Sequence, residues 1–249
     1  MNLALAIVTL DRRSFGLENY VERTWESLVR SGLLDQLGED RVAFFDAGPG
    51  QGFAEYLRRL TGQKVWGGPG YHLDQVRNSH RAMAWLAGTG ADFGIYMEDD
   101  VVVARNFLLE ARQWLARCAP DDGALYSLAT PYEFVGERHN QKRRWAPHDV
   151  SAYYGQYCLS FPQHVLVGYL ISEMRQDAEE VGEGTDMSIK RYLQATKGKI
   201  YVHCPNIAGH VGLTSVLGHK HSYTSFPAFP GEDYDALGGH CDNEQAHGQ

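Results

Sequence analysis

The chain alternates short apolar runs with longer amphipathic segments, and this alternation restricts its fold more than any other feature. The first run, LALAIVT at 3–9, precedes a segment at 19–31 whose apolar residues recur at helical spacing. A later run, FGIYM at 93–97, follows a second helical segment at 73–87. Because strands that alternate with helices form parallel βαβ units, the order predicts an α/β fold: a single Rossmann-type domain with a mostly parallel central sheet flanked by helices.

Composition and length restrict the class of protein. The 249 residues hold enough apolar material for a large core, and they contain no run near the roughly 20 apolar residues of a membrane span. The opening MNLALAIVTLDRR places its charges after the apolar run, unlike a secretory signal, and the four cysteines form no C-x-x-C pair. We therefore expect a cytoplasmic protein with a folded domain at 1–225 and an extended or disordered tail at 226–249.

Three consecutive acids, Glu98, Asp99 and Asp100, follow the FGIYM run directly. Ligands of α/β proteins bind at the carboxyl ends of the strands, so this position indicates the mouth of a crevice. Neighbouring carboxylates repel one another, and a hard cation such as Mn²⁺ or Mg²⁺ relieves the repulsion while also binding phosphate oxygens. The alternative interpretation is a solvated loop or a set of capping acids.

The acidic segment resembles a motif of a known family. IYMEDDVVVARNFL is similar to the metal-binding D-x-D region of glycosyltransferases with the GT-A fold, and Arg77-Asn78 lies on the helix before it. The segment PNIAGHVGLTS at 205–215 resembles the P-N-L-x-x-H-x-G-x-x-S segment of the N-acetylglucosaminyltransferase IV type. The resemblance implies a GT-A-like fold and a hexosyl- or N-acetylhexosaminyl-transferase that moves a sugar from a nucleoside-diphosphate sugar, most often UDP-linked, to a glycan or another hydroxyl acceptor.

The same resemblance assigns roles at the acids and at a late histidine. Asp100 would coordinate the metal, Mn²⁺ or Mg²⁺, while Glu98 and Asp99 would hold the donor ribose, the sugar or a metal-bound water. His210 matches the position of a late metal ligand, and a neutral imidazole suits Mn²⁺. The alternative for His210 is a loop histidine that is hydrogen-bonded to the backbone.

Further residues are expected to bind the donor. Thr9 and Arg12 follow the first strand, where enzymes of this family bind the nucleotide base and ribose. Asp46 follows the second strand and could do the same, although an Asp before Gly-Pro is also a good turn former. Arg77 and Asn78 complete the predicted donor-binding set.

A general base is predicted at the start of a late helix, in the segment GEGTDMSIKRYL. In inverting members of the family an acidic residue that opens such a helix accepts the proton of the acceptor hydroxyl, and Asp186 holds this position. A positioned carboxylate contributes on the order of 10²–10⁴-fold to the rate. The alternative is a helix cap stabilised by the helix dipole, and Glu183 is the reserve candidate.

Three other functions stay open. The first transfers sugar to a hydroxymethylated base in DNA, held by a basic loop at 138–145, although the net charge of −8 and a simple solvated or donor-binding loop oppose it. The second is a metal-dependent phosphohydrolase or nucleotidyltransferase, which usually needs two metals and acids from several strands. The third is a non-catalytic lectin-like or scaffold protein. The loop residues that motivate the DNA acceptor are Arg138, His139, Lys142, Arg143, Arg144 and Trp145.

Overall fold

The computed structural model of the chain describes residues 1–48, 50–67, 74–117, 123–130, 145–155, 157–212 and 229–237. They form an α/β fold in which helices flank one large sheet, as the sequence predicts. The strands are β1 (Leu3–Thr9), β2 (Val42–Asp46), β3 (Lys64–Trp66), β4 (Phe93–Glu98), β5 (Val101–Val103), β6 (Ala124–Ala129), β7 (Trp145–His148), β8 (Cys158–Pro162), β9 (Lys199–His203) and β10 (Ala208–His210).

The large sheet has eight strands in the order β3-β2-β1-β4-β8-β6-β9-β7. Strands β3, β2, β1, β4, β6 and β9 run in one direction, whereas β8 and β7 run in the other. The sheet is therefore mostly parallel. A second, antiparallel sheet consists of β5 and β10, and it lies beside the carboxyl end of β4.

Eight α-helices belong to the described part of the chain. They are α1 (Val21–Arg30), α2 (Leu33–Gln36), α3 (Gln51–Thr61), α4 (Gln75–Gly88), α5 (Phe107–Leu115), α6 (Gln163–Leu170), α7 (Glu173–Val181) and α8 (Thr185–Thr196). Helices α6 and α7 are separate because the Ser172 hydroxyl accepts a hydrogen bond from the Arg175 amide and begins a new helix. None of the described helices has the length and apolar character that crossing a membrane requires.

The core lies on both faces of the sheet, and the central strand β1 is buried on each. Leu5 and Ile7 contribute to one layer, whereas Ala4 and Ala6 face the opposite layer, against which α4 packs. A strand with two buried faces reads as a continuous apolar run, which explains why LALAIVT shows no alternation. The arrangement fixes the carboxyl ends of β1, β2 and β4 side by side.

The basic loop predicted at 138–145 is wrong at its last residue, Trp145. Residues 145–148 form the edge strand β7, which pairs with β9, so Trp145 does not lie in a loop. Its ring is half-buried and meets the rings of Tyr126 and His203 at centroid distances of 5.2 and 5.0 Å. This packing removes Trp145 from the residues expected to contact an acceptor. The rest of the basic loop, 138–144, lies outside the described residues.

The segment 229–237 lies against the small sheet. The Arg105 amide donates to the Tyr234 carbonyl at 3.0 Å, the Ala236 amide donates to the Arg105 carbonyl at 3.1 Å, and Ala236 is fully buried. A Cβ at Gly209 would overlap the ring of Phe229, so the two are packed without a gap. These contacts attach the segment to the domain, and the boundary at 225 remains a prediction.

Candidate active site

Asp99 and Asp100 form the two-residue turn between β4 and β5, and both are buried. Because Val8 pairs with Glu98, the next residue of β1, Thr9, faces Asp99 across the sheet edge. The Thr9 hydroxyl donates to Asp99 Oδ2 at 2.6 Å, and the Leu10 amide approaches the same oxygen at 3.4 Å. The structure thus brings Thr9 and the acidic triplet together.

Arg12 neutralises the two aspartates from the opposite side. A short 3₁₀ turn, Arg12–Phe15, follows β1 and directs the guanidinium inwards. Its Nη2 lies 2.8 Å from Asp99 Oδ1 and 2.7 Å from Asp100 Oδ2, and the side chain is only 11% exposed. Burial lowers the pKa of Arg12, but the two carboxylates outweigh it and raise the pKa above its ordinary value. Arg12 therefore contacts the acids, and a role in binding base or ribose stays a prediction.

His210 reaches Asp100 because β10 pairs with β5. In this pairing His210 lies opposite Val101, and its Nε2 is 2.9 Å from Asp100 Oδ2. Burial lowers the pKa of His210, whereas the hydrogen bond and the charge of Asp100 raise it, and the net shift is upward. The ring of Tyr157 lies beside the imidazole at a centroid distance of 4.8 Å. His210 thus contacts a carboxylate oxygen of a residue that lies 110 positions earlier in the chain.

The pKa values of Asp100 and Glu98 are shifted in opposite directions. Burial raises the pKa of Asp100, but His210 and Arg12 more than reverse this effect, so its pKa falls below the ordinary value and the group is ionised. Burial, followed by the charge of Asp100, raises the pKa of Glu98 to about 8. At neutral pH Glu98 is therefore mainly protonated and able to donate a hydrogen bond.

The backbone beyond His210 passes against the Asp100–His210 pair. A Cβ at Gly212 would overlap Asp100 Oδ2 and lie 3.0 Å from His210 Nε2, so this position has room only for glycine. Sequence reasoning assigned Gly212 no role, although the glycine of the P-N-x-x-x-H-x-G segment was the available signal. Thr24 was also missed, and its hydroxyl donates to the Asp99 carbonyl at 2.7 Å.

The Asp100–His210 pair suits a divalent cation. Adjacent ligands of an octahedral ion, each about 2.1 Å from it, are about 3 Å apart, and the observed separation of Oδ2 and Nε2 is 2.9 Å. The second oxygen, Asp100 Oδ1, is buried and has no hydrogen-bond partner among the described residues. The described ranges contain no group of three or more His, Cys, Asp or Glu that could enclose a metal. Two protein ligands suit a cation that takes its other ligands from phosphates and water.

Asp46 lies next to this cluster at the end of β2. It is fully buried, its Oδ1 accepts a hydrogen bond from the Gly48 amide at 2.9 Å, and Oδ2 has no partner in the described part of the chain. Burial raises its pKa to about 6, and the charges of Asp11 and Asp99 add to the shift. Beneath it, the Asn78 amide donates to the Phe45 carbonyl at 2.8 Å and so supports the strand end.

Arg77 and Asp186 lie outside the hydrogen-bonded cluster. Arg77 is 55% exposed and pairs with Asp74 at 3.7 Å, without a contact to the acids in the described residues. Asp186 lies in the first turn of α8, where its Oδ2 accepts from the Gly155 amide at 3.0 Å. Burial raises the pKa of Tyr153, and the charge of Asp186 adds to it. The reserve candidate, Glu183, is paired with Arg191 at 2.6 Å.

No protein-family model and no curated protein sequence matches this chain. Among solved structures, it is similar to a nucleotidyl transferase from Methanothermobacter thermautotroptrophicus, with 14% identity, a TM-score of 0.51, and coverage of 81% of this chain and 86% of the other. A putative nucleotide-diphospho-sugar transferase from Desulfovibrio desulfuricans G20 has 9% identity, a TM-score of 0.48 and coverage of 81% and 80%. A glycosyltransferase from Streptococcus pneumoniae TIGR4 has 12% identity, a TM-score of 0.46 and coverage of 81% and 44%. At 14% identity, the similarity to the nucleotidyl transferase concerns the fold alone.

Proposed function

We propose that this chain is a glycosyltransferase that uses a divalent cation to transfer a sugar from a nucleoside-diphosphate sugar, with UDP as the preferred nucleotide, to an acceptor hydroxyl. The observation that carries the proposal is the Asp100–His210 pair, whose Oδ2 and Nε2 lie 2.9 Å apart at the carboxyl end of β4. In an α/β sheet this end is where ligands bind. A fold shared with a nucleotidyl transferase is compatible with a nucleotide at this edge.

Each residue around the Asp100–His210 pair would have a separate role in binding the metal or the donor. Asp100 and His210 would hold Mn²⁺ or Mg²⁺, and this cation, when bound, offsets the negative charge that develops on the departing diphosphate. Thr9 fixes the orientation of Asp99. Protonated Glu98 would donate a hydrogen bond to the sugar or ribose, and the second oxygen of Asp46 would accept one from the base or the ribose.

Asp186 would act as the general base, and its role implies inversion at the anomeric carbon. Its partners in the described residues are the backbone amides of Gly155 and Met187, which leave lone pairs of the carboxylate available to an acceptor hydroxyl. Glu183 is less suited to this role because Arg191 already holds it. The likeness of the His210 segment to the N-acetylglucosaminyltransferase IV type suggests an N-acetylhexosamine as the sugar.

A nucleotidyltransferase is the second candidate, since the solved structure with the TM-score of 0.51 is one. That reaction would use a nucleoside triphosphate and a sugar phosphate instead of a finished nucleotide sugar. It often relies on two metals, and acids from more than one strand are then needed. Asp46 on β2 and Asp100 after β4 are acids of this kind.

Ligand-dependent melting of the purified chain tests the proposal. Nucleoside diphosphates, nucleotide sugars and nucleoside triphosphates are each added with and without Mn²⁺, because a ligand that binds only the native state raises the melting temperature. We expect a metal-dependent rise with UDP and a UDP-sugar, lost in Asp100→Ala and retained in Asp177→Ala, whose side chain is 55% exposed and lies in α7.

The same screen separates the candidates. A rise with triphosphates alone would favour nucleotidyl transfer, and no rise with any nucleotide would contradict both enzymes. Sugar transfer to a glycan is then assayed beside transfer to an oligonucleotide with hydroxymethylated bases. Transfer to the oligonucleotide would support the DNA acceptor that the basic residues at 138–144 suggest.

A further inference from the structure

We propose that Arg12 is a built-in competitor of the metal, so that the cation binds Asp100 tightly only when a diphosphate gives Arg12 another partner. The inference rests on the proposed metal site at Asp100 and His210. It predicts that the metal and the diphosphate bind together, and that the metal alone binds weakly.

The competition follows from a shared oxygen. Asp100 Oδ2 lies 2.7 Å from Arg12 Nη2 and 2.9 Å from His210 Nε2, so two nitrogens already occupy the oxygen that a metal would share with His210. A guanidinium stays charged at every physiological pH. Arg12 must therefore either leave the oxygen or remain beside the cation as a like charge. At an effective dielectric constant near 20, that repulsion weakens metal binding by about tenfold or more.

The surroundings of Arg12 stabilise it in this position without a metal. Its guanidinium also contacts Asp99 Oδ1 at 2.8 Å and lies over the ring of Tyr20 at 5.3 Å. The side chain is only 11% exposed. Buried acids that would otherwise need a metal thus have a cation from the chain itself.

Arg12 can exchange partners without leaving Asp99 isolated. Thr9 and Leu10 bind Asp99 through Oδ2, whereas Arg12 binds the other oxygen, Oδ1. When Arg12 moves, Asp99 keeps its hydroxyl donor. A guanidinium has the planar fork that binds phosphate oxygens in pairs, so a diphosphate beside Asp100 is a suitable new partner.

Mn²⁺ titration of the full chain, followed by the electron paramagnetic resonance signal of free Mn²⁺, tests the inference. Wild type is compared with Arg12→Gln, which removes the charge, and Arg12→Lys, which keeps it. Arg13→Gln is the matched control, because Arg13 is the next residue, is 53% exposed and pairs only with Asp11 among charged groups of the described residues. Each protein is measured alone and with inorganic pyrophosphate, a diphosphate that needs no base recognition.

Without pyrophosphate, we expect Arg12→Gln to bind Mn²⁺ at least about tenfold more tightly than wild type. Arg12→Lys and Arg13→Gln should stay within about threefold of wild type. Pyrophosphate should tighten Mn²⁺ binding strongly in wild type and less in Arg12→Gln. If Arg12→Gln does not fold, Arg12→Met, which also removes the charge and keeps a long side chain, takes its place. A tenfold gain in Arg12→Lys would contradict a role of the charge.

The outcomes separate this inference from the proposed function. If Arg12→Gln binds Mn²⁺ no more tightly than wild type while wild type transfers sugar, the inference is wrong and the function stands. If Arg12→Gln gains affinity but no nucleotide sugar reacts, the inference stands and the function is wrong. If no variant binds Mn²⁺ with or without pyrophosphate, both are wrong.

Discussion

The ends of two strands on either side of β1 hold buried carboxylates in different ways. At the end of β4, Asp99 and Asp100 are surrounded by donors from Thr9, Arg12 and His210. At the end of β2, Asp46 is fully buried with one backbone donor on Oδ1 and no partner for Oδ2 in the described residues. A buried charge without partners is unfavourable, and the raised pKa of Asp46 records this cost.

The two strand ends therefore differ in how far the protein itself satisfies their carboxylates. At the β4 end, Arg12 and His210 offset the charge of the buried aspartates. Each end keeps one buried carboxylate oxygen without a partner in the described residues, Asp100 Oδ1 and Asp46 Oδ2. Only Asp46 also lacks a side-chain donor there, which is the state expected of a group that binds a ligand donor. Four substitutions test this contrast, in order of decreasing expected effect.

Asp186 extends the comparison to a fourth carboxylate, whose hydrogen-bond partners in the described residues are backbone amides only. Asp186→Asn keeps the size of the side chain but removes the base, so sugar transfer should fall about 10²–10⁴-fold. Mn²⁺-dependent binding of the nucleotide sugar should be unchanged, as measured by calorimetry. An equal loss of donor affinity would show that Asp186 belongs with the donor site.

Gly212→Ala breaks the partnered end directly. The new methyl group would overlap Asp100 Oδ2, so Asp100 and His210 must move apart. We expect the free energy of unfolding to fall by about 3 kcal/mol. We also expect the variant to lose Mn²⁺ binding. Gly88→Ala is the control: it lies in α4 with nothing within 4 Å of its Cβ position. There alanine should stabilise the chain by about 0.5 kcal/mol in urea unfolding.

Asp46→Asn should act in the opposite direction and stabilise the protein. The pKa of Asp46 rises from 3.8 to about 6 on folding, so the folded state holds a proton more tightly and wild-type stability falls as the pH rises between these values. The variant should therefore gain up to about 3 kcal/mol at pH 7.5 and almost nothing below about pH 3. Denaturant unfolding at both pH values measures this, and nucleotide affinity should fall. A gain that is independent of pH would contradict the assignment.

Thr9→Val gives the smallest effect. It removes the hydroxyl that donates to Asp99 and leaves Arg12 and the Leu10 amide in place, so the unfolding free energy should fall by about 1 kcal/mol. Thr9→Ser keeps the donor and should remain near wild type. If the serine variant loses as much as the valine variant, the methyl group and not the hydroxyl supports the site.

The sequence was sufficient for the elements with strong local patterns. The apolar runs predicted β1 and β4, and helical spacing predicted α4 to within two residues at each end. It was insufficient for β7, because a polar stretch with a proline resembles a loop and becomes a strand only beside β9. The run FGIYM predicted a strand followed by acids, but it did not show that Asp99 and Asp100 turn the chain into a second sheet.

The site was predicted in part. Position after a buried strand was enough to select the acidic triplet, and the resemblance to a known family selected Asp100 and His210, which the structure brings together. The role of Arg12 depends on the adjacency of β1 and β4 and on the direction of a short 3₁₀ turn, neither of which has a local sequence signal. The same reason explains why Gly212 was missed, since its crowding comes from Asp100.

The small β5–β10 sheet has a consequence for synthesis of the chain. Asp100 emerges from the ribosome 110 residues before His210, and until β10 pairs with β5 the acids have only Arg12 as a cation from the described site. Closing so long a loop is entropically unfavourable and belongs among the slower steps of folding. A nascent chain therefore cannot form the Asp100–His210 contact before the segment that carries β10 has been synthesised.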